Sequence, residues 1–277
     1  MIKLQFLSDN RKVDDIFETE HGLSVYLETD EYKCLLDTGA SDIYIRNAQK
    51  LGIDLAEVDY VFISHGHIDH IGGLASFFKI NTKAQFIISE NALDKQFFSK
   101  RNGLKKISSE FDFSEYKDRF ITVHEKLKLE RDINVFATTC SSNAYPKAND
   151  CLFKMMDGEL VNDDFDHELV VTFGTNFLMV YTGCAHKGLL NMLDSIEKEV
   201  DRRVTYVVGG FYLLDSTDQN NFETEQEISE LAQQLRNNYQ FTDFITGHCT
   251  GENVYKNLKS VLDEHLHQFY AGLTYIV

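Results

Sequence analysis

The sequence lacks long apolar runs, and cysteine and proline are scarce. It contains one proline, no tryptophan and five cysteines in 277 residues. No apolar run approaches the roughly 20 residues that are needed to cross a bilayer. The cysteines are odd in number and lack a CxxC pair, so we expect no disulfide framework. The first residues, "MIKLQFLSDN", lack the charge pattern of a secretory signal, so we expect a cytoplasmic location.

Positive charge is also scarce. The chain has 27 Lys and Arg residues against 44 Asp and Glu residues, which gives a formal net charge of -17. This excess of carboxylate repels phosphate backbones and anionic lipid surfaces, so we expect neither a nucleic acid nor a membrane as partner. A small anionic substrate stays compatible with this charge, because a bound metal ion can dominate the local field.

Apolar patterning divides the chain into two halves, about 1–125 and 126–277, that each run from strands to helices. Strands that pair first, with helices following, predict two sheets packed face to face and covered by helices. We therefore expect one α/β (α+β) domain over 1–277, built as a four-layer αββα sandwich. Residues 91–120 depart from the pattern and predict a helical or loop insertion, either over a site or on the solvated surface.

The densest functional signal is the stretch "HGHIDH", which follows the apolar segment "DYVFIS". His65 and His67 are two residues apart and can converge on one metal ion from an extended loop. Asp69 and His70 follow at the start of the next helix and are placed to serve a second metal ion. Imidazole and carboxylate ligands suit zinc, iron and manganese.

Two further strand ends carry residues of the same kind. "VYTGCAHKG" contains Cys184 and His186, and "ITGHCTG" contains His248. Each strand ends in a glycine, which allows a close approach of the backbone. Histidine at three strand ends predicts that these loops meet at one site.

The sequence resembles the metallo-β-lactamase superfamily. The matching segments are, in order, "EHGLSVYLE", "LLDTGAS", "SHGHIDHIGGL", "TGCAHKGLLN", "VVGGFYLL" and "GHCTG". The combination of GCAH, GGF and HCTG is similar to the subgroup that contains the archaeal dihydropterin aminobenzene ribofuranosyl phosphate synthases and many bacterial metal-dependent hydrolases.

The resemblance implies a dinuclear metal site between the two sheets. The implied metal ligands are His65, His67, Asp69, His70, Cys184, His186 and His248. Cys184 stands where many relatives place a bridging aspartate, so it is either a ligand or a buried core residue. His167 and Glu168 are weaker candidates for a further ligand. Asp37, in "LLDTG", matches a carboxylate that braces the histidine loop through hydrogen bonds.

One position departs from the subgroup, which usually reads GGFH where this chain has Tyr212. A phenol can donate a hydrogen bond, but it does not easily replace imidazole as a proton shuttle at neutral pH. The synthase activity of the subgroup is therefore not transferred to this chain. Asp69, His186 and Tyr212 are the candidate catalytic residues, with Asp69 orienting water and either of the others donating a proton.

These observations predict a metal-dependent hydrolase that acts on a small ester, phosphodiester, cyclic phosphate or lactone. The expected cofactors are two divalent metal ions, zinc first, with iron or manganese as alternatives. A group-transfer synthase of the dihydropterin type and a non-catalytic metal-holding sensor are the competing hypotheses. The sequence leaves the substrate and a homo-oligomeric state open.

Overall fold

Two sheets face each other across the centre of the protein. The computed structural model describes residues 1–93, 95–129, 133–174 and 177–277. Within these ranges the first sheet has the strand order β18-β1-β2-β3-β4-β5-β8. Its strands are β1 Lys3–Ser8, β2 Ser24–Glu28, β3 Lys33–Leu36, β4 Tyr60–Phe62, β5 Gln85–Ser89, β8 Phe120–Val123 and β18 Thr274–Ile276.

The second sheet has the order β17-β16-β15-β14-β13-β10-β9 within the same ranges. Its strands are β9 Lys126–Lys128, β10 Asn134–Ala137, β13 Leu169–Phe173, β14 Leu178–Tyr181, β15 Val204–Val208, β16 Asp243–Thr246 and β17 Leu266–Gln268. β14, β15 and β16 are parallel, so their carboxyl ends lie at one edge. Residues 175–176, which the apolar pattern adds to the start of β14, lie outside the described residues.

Helices cover the outer face of each sheet. The helices are α1 Ile43–Lys50, α2 Ile68–Ile71, α3 Leu74–Phe77, α4 Leu189–Glu199, α5 Glu225–Asn238 and α6 Glu252–Leu262. Short 3-10 segments are Leu55–Glu57, Glu90–Ala92, Phe113–Arg119, Lys147–Cys151 and Asp263–His265. α1 to α3 pack on the first sheet, and α4 to α6 pack on the second. The predicted four-layer αββα sandwich is therefore confirmed.

The central core lies between the sheets. Phe6, Val25, Val171 and Tyr181 are fully buried there, together with Phe269 from the chain that follows β17. Each large apolar side chain removed from water in this way contributes roughly 1.5–3 kcal/mol. This rigid centre holds the strand ends in place, and their loops carry the candidate site.

A third sheet covers one end of the sandwich, with the order β12-β11-β6-β7 in the described part of the chain. Its strands are β6 Phe97–Ser99, β7 Lys105–Lys106, β11 Leu152–Met156 and β12 Glu159–Asn162. The segment 91–120, expected to be a helical or loop insertion, is largely loop and 3-10 helix in its described residues, but it also contributes two strands to this sheet. Asp94 lies outside the described residues. β6 gains its partner from the second half of the chain, where Phe98 pairs with Phe153.

The segment "IGGLASFF" differs from the single helix that its composition predicts. It forms α2 and α3, separated at Gly72 and Gly73. Gly73 lies against the carbonyl oxygen of Thr38, where an added Cβ would stand 2.1 Å away. A side chain would therefore not fit at this position, which explains the glycine. No helix in the described ranges has the length and apolar character of a membrane span.

Candidate metal centre

Loops from the carboxyl ends of several strands meet at one edge of the sandwich. β4 leads into the loop of His65 and His67, β14 leads into the loop of Cys184 and His186, and β16 leads into His248. All five side chains are buried. The structure thus brings together the three strand ends that the sequence singles out.

One cluster consists of His65, His67 and His186. A ring nitrogen of each lies within 4.8 Å of the others. Each ring also has a buried Nε2 with no hydrogen-bond partner within the described residues. Burial and the neighbouring imidazoles hold the pKa values of His65 and His186 well below the usual range. Neutral imidazoles with bare nitrogens fit a divalent metal ion.

Hydrogen bonds set the tautomers of two of these rings. The Nδ1 of His186 lies 3.0 Å from Oδ1 of Asn149, an acceptor, so this nitrogen carries the proton. The Nδ1 of His65 lies 2.9 Å from Oγ of Ser64. That hydroxyl donates to Asp37 and is left to accept from His65. In both rings Nε2 is therefore free to act as a ligand.

The second cluster consists of Asp69, His70, Cys184 and His248. The Nε2 of His70 lies 3.1 Å from Sγ of Cys184 and 3.2 Å from Nε2 of His248. Oδ2 of Asp69 is 3.3 Å from Nε2 of His248. Tetrahedral zinc with bonds of about 2.0–2.3 Å separates its ligand atoms by about 3.3–3.8 Å. The observed separations of 3.1–3.3 Å lie at or slightly below the lower end of this range, and the donor types suit a second cation.

Asp37 braces the histidine loop from below. The carboxylate is fully buried and lies at a φ of +57°. Its Oδ1 accepts from the backbone N–H of Ser64, and its Oδ2 accepts from Ser64 Oγ, His70 Nδ1 and Tyr181 Oη, each at 2.7 Å. This contact fixes the proton of His70 on Nδ1 and turns Nε2 toward Cys184.

The two weaker ligand candidates take part in other contacts. His167 accepts from the N–H of Gly66 through Nδ1 and donates through Nε2 to Asp163, which leaves no free ring nitrogen. Glu168 accepts from the backbone N–H groups of His186 and Lys187. Burial raises the pKa of Glu168 to about 8 although these N–H groups oppose the shift. In this geometry both residues position the metal-facing loops, and a ligand role for them stays a prediction.

Several site residues escaped the sequence analysis. Asp163 lies 3.6 Å from Nε2 of His67 and holds His167, while Asn149 holds His186. His21 stacks on His248 with ring centroids 4.9 Å apart, and its Nε2 is 3.4 Å from Oδ2 of Asp69. For His21 a signal existed, because it lies in the matched segment "EHGLSVYLE". Asp163 and Asn149 carry no local motif.

A cavity of about 500 Å³ opens over both clusters. His67, Asp69, His186 and Tyr212 line its floor, and the third sheet forms a wall. The Tyr212 ring lies 3.9 Å from the His186 ring, centroid to centroid, and its hydroxyl accepts a 2.6 Å hydrogen bond from Nη2 of Arg101. Burial raises the pKa of Tyr212 well above its usual range although Arg101 opposes the shift, so the phenol keeps its proton.

Comparisons with known proteins agree with this fold and this site. Residues 18–137 match the family model of the metallo-beta-lactamase superfamily. The chain also aligns over its full length with the crystal structure of Tm1679, described as a metal-dependent hydrolase of the beta-lactamase superfamily, covering 99% of that chain at a TM-score of 0.82 and 29% identity. Residues 18–137 therefore resemble the metallo-β-lactamase superfamily, and the whole chain is similar to a hydrolase described as a member of it.

The chain is also similar to two proteins of Methanocaldococcus jannaschii. It is 25% identical over 272 residues to the 7,8-dihydropterin-6-methyl-4-(beta-D-ribofuranosyl)-aminobenzene-5'-phosphate synthase, an alignment that covers 92% of this chain and 90% of the relative. It is 28% identical over 225 residues to an uncharacterized protein, covering 79% of this chain and 81% of the relative. The similarity to the synthase subgroup that the sequence motifs indicated is confirmed.

Proposed function

We propose that this protein is a metal-dependent hydrolase that acts on a small ester, phosphodiester, cyclic phosphate or lactone. The observation that carries the proposal is the pairing of two donor clusters, one of bare histidine nitrogens, on the floor of a cavity. We further propose a small-molecule substrate as the partner and a cytoplasmic location.

The donor chemistry supports two divalent cations, zinc first, with iron or manganese as alternatives. His65, His67 and His186 would hold one cation. His70, His248, Asp69 and Cys184 would hold the other. Two cations held by these residues would supply a lowered pKa of bound water and polarisation of the electrophile.

The residues of this chain supply orientation and protons. Asp69 lines the cavity, with its Oδ2 3.4 Å from Nε2 of His21 and 3.3 Å from Nε2 of His248, so its carboxylate is placed to orient a water molecule and accept its proton. Tyr212 accepts from Arg101 and keeps its own proton for a leaving group. His186 has its proton on Nδ1, bonded to Asn149, so its metal-facing nitrogen has none to donate. Of the two proton donors expected from the sequence, the geometry favours Tyr212.

A group-transfer synthase is the second candidate function. It is supported by the 25% identity to the dihydropterin synthase over most of both chains. The phenol of Tyr212, with its raised pKa, provides no shuttle at neutral pH where the subgroup carries histidine. Incubation with a pterin diphosphate-like electrophile and an aromatic nucleophile separates the two. Condensation without net hydrolysis contradicts the hydrolase.

The test of the proposal is the metal content per chain of protein purified without chelator, with turnover of bis(p-nitrophenyl) phosphate in the same samples. We expect about two metal ions per chain, and loss of one ion and of turnover in Cys184→Ala. Cys34→Ala is the matched control, because Cys34 is equally buried but lies in the core between the sheets. Its loss of volume is the same, and its metal content should be unchanged.

The outcomes separate the remaining hypotheses. Metal near zero in the wild type, even after reconstitution, contradicts the metal site. Two ions retained in Cys184→Ala assign that thiol to the core. Full metal occupancy without turnover of any ester, phosphodiester or lactone supports the non-catalytic sensor.

A further inference from the structure

One wall of the cavity is positively charged, whereas the molecule as a whole is acidic. Arg101, Lys105 and Lys106 line the cavity, all from the hairpin of β6 and β7. Among the lining residues that the structure describes, Asp69 is the sole carboxylate. The chain as a whole carries a net charge of -17. A cationic wall on so acidic a protein points to a ligand of negative charge.

Arg101 is partly buried, whereas the two lysines of this wall are exposed. Its guanidinium donates to one neutral oxygen, the Tyr212 hydroxyl, and its buried Nε has no partner among the described residues. No carboxylate in the described ranges forms an ion pair with it. Lys106, by contrast, already pairs with Glu110 at 2.5 Å. A guanidinium with free donors is suited to bidentate binding of a phosphate or carboxylate.

Contacts from two parts of the chain hold Arg101 in place. Its backbone N–H donates to Oγ of Ser99 at 3.3 Å, and its carbonyl oxygen accepts from Nδ2 of Asn220 at 3.3 Å. Its guanidinium carbon lies 5.8 Å from the centroid of the Tyr212 ring. Because that ring packs on His186, the guanidinium lies beside the metal-facing histidines.

We propose that Arg101 binds an anionic group of the substrate, a phosphate or a carboxylate, and so selects anionic esters and phosphodiesters over neutral ones. The inference rests on the proposed function, because it assigns a substrate class to the same cavity. The Tyr212 hydroxyl occupies one guanidinium donor of Arg101, and the remaining guanidinium donors are available to the anion. Lys105 adds charge at the mouth and has no ion-pair partner among the described residues.

The kinetic test uses Arg101→Met, Arg101→Lys and the control Arg203→Met in metal-loaded protein. Arg203 lies over Phe241, outside the cavity lining, and its loss changes the net charge equally. For bis(p-nitrophenyl) phosphate we expect Arg101→Met to raise KM about 10–100-fold with a smaller effect on kcat. The preference for this substrate over the neutral p-nitrophenyl acetate should fall by the same factor. Arg101→Lys should recover part of it, and Arg203→Met should match the wild type.

A binding test separates failure of this inference from failure of the hydrolase. Calorimetric titration of the same metal-loaded proteins uses phenyl phosphate and phenylacetate as probes. Weaker binding of phenyl phosphate alone assigns a phosphate, and weaker binding of both assigns oxyanions in general. Equal affinities of wild type and Arg101→Met for both probes, at equal metal content, overturn the inference. If the wild type turns over neither substrate while Arg101→Met still binds more weakly, the anion site stands and the hydrolase proposal fails.

Discussion

Replacing Asp37 with asparagine should weaken metal binding, although none of the candidate metal ligands is changed. The carboxylate Oδ2 accepts from His70, Ser64 and Tyr181 at 2.7 Å each. An amide nitrogen in that position donates instead, and His70 can accept only by moving its proton to Nε2. That nitrogen is the one that faces Cys184, and a protonated nitrogen is no ligand.

The opposite orientation of the amide is also unfavourable. It places the amide nitrogen at Oδ1, against the backbone N–H of Ser64, which donates to Asp37 at 2.7 Å. In this second orientation the charge is lost as well, so the three charge-assisted hydrogen bonds to Oδ2, each about 1.5–3 kcal/mol, become neutral ones of about 0.5–1.5 kcal/mol. We expect the free energy of unfolding to fall by about 3 kcal/mol. Metal affinity should fall about 10–100-fold, as is typical for loss of a group that orients a ligand.

Competition with a chromophoric chelator measures the affinity, and urea unfolding of metal-free protein measures the stability. Asp215→Asn is the control, because that carboxylate accepts from the backbone N–H groups of Asn253 and Val254 at the start of α6. It should cost about 1 kcal/mol and leave metal affinity unchanged. Wild-type metal affinity in Asp37→Asn, with a stability loss under about 0.5 kcal/mol, would refute the tautomer argument.

Three further substitutions test separate parts of the structure. Gly183→Ala should cost at least about 2 kcal/mol in urea unfolding, because Gly183 has a φ of +59° and its added Cβ would lie 2.3 Å from Oγ of Ser64. Wild-type stability would show that the loop shifts freely. Asn149→Ala should weaken metal binding about 10–100-fold in the chelator assay, since His186 loses the acceptor that sets its tautomer; unchanged affinity would assign Asn149 to loop packing alone. Thr224→Ala should cost about 1 kcal/mol through loss of the α5 capping box, with metal content per chain unaltered; a drop in metal content would mean that α5 supports the site.

The layers of the fold could be predicted because each strand carries its own signal. β13, for example, is buried along its whole length, as its apolar run indicates. The meeting of the strand-end loops follows from the same reasoning. β14 and β16 flank β15 in one parallel set, so their carboxyl ends share an edge with the loops of Cys184 and His248. Residue spacing and strand direction were sufficient to predict that these loops meet.

The third sheet could not be predicted because its pairing is not local. β7 consists of Lys105–Lys106, two exposed lysines without apolar alternation, and it exists through its contact with β6. β6 in turn pairs with β11, from the other half of the chain. Period and propensity describe one segment at a time. They cannot show that two weak segments, more than 50 residues apart, complete each other.

Residue type alone also did not distinguish the candidate metal ligands from the residues that position them through hydrogen bonds. His65 and His167 are both fully buried histidines of the site. His65 has one ring nitrogen bonded and the other bare, whereas His167 has both bonded, to Gly66 and Asp163. The distinction lies in the partners of the second nitrogen, which are set by tertiary contacts. A buried histidine becomes a ligand candidate when one nitrogen is held and the other is left without a partner.

Tyr212 shows how the side chain at one position can change the chemistry of the site. The residue takes a φ of +48° between the two metal-facing loops, with its N–H donating to Sγ of Cys249 and its ring against His186. The local backbone therefore fixes the direction of the side chain. The type of side chain then determines which hydrogen-bonding or acid–base group faces the site. A phenol bonded to Arg101 offers a fixed donor rather than a titrating base. That difference favours proton delivery to an anionic leaving group over repeated proton shuttling, and it supports the proposed hydrolase over the alternative synthase.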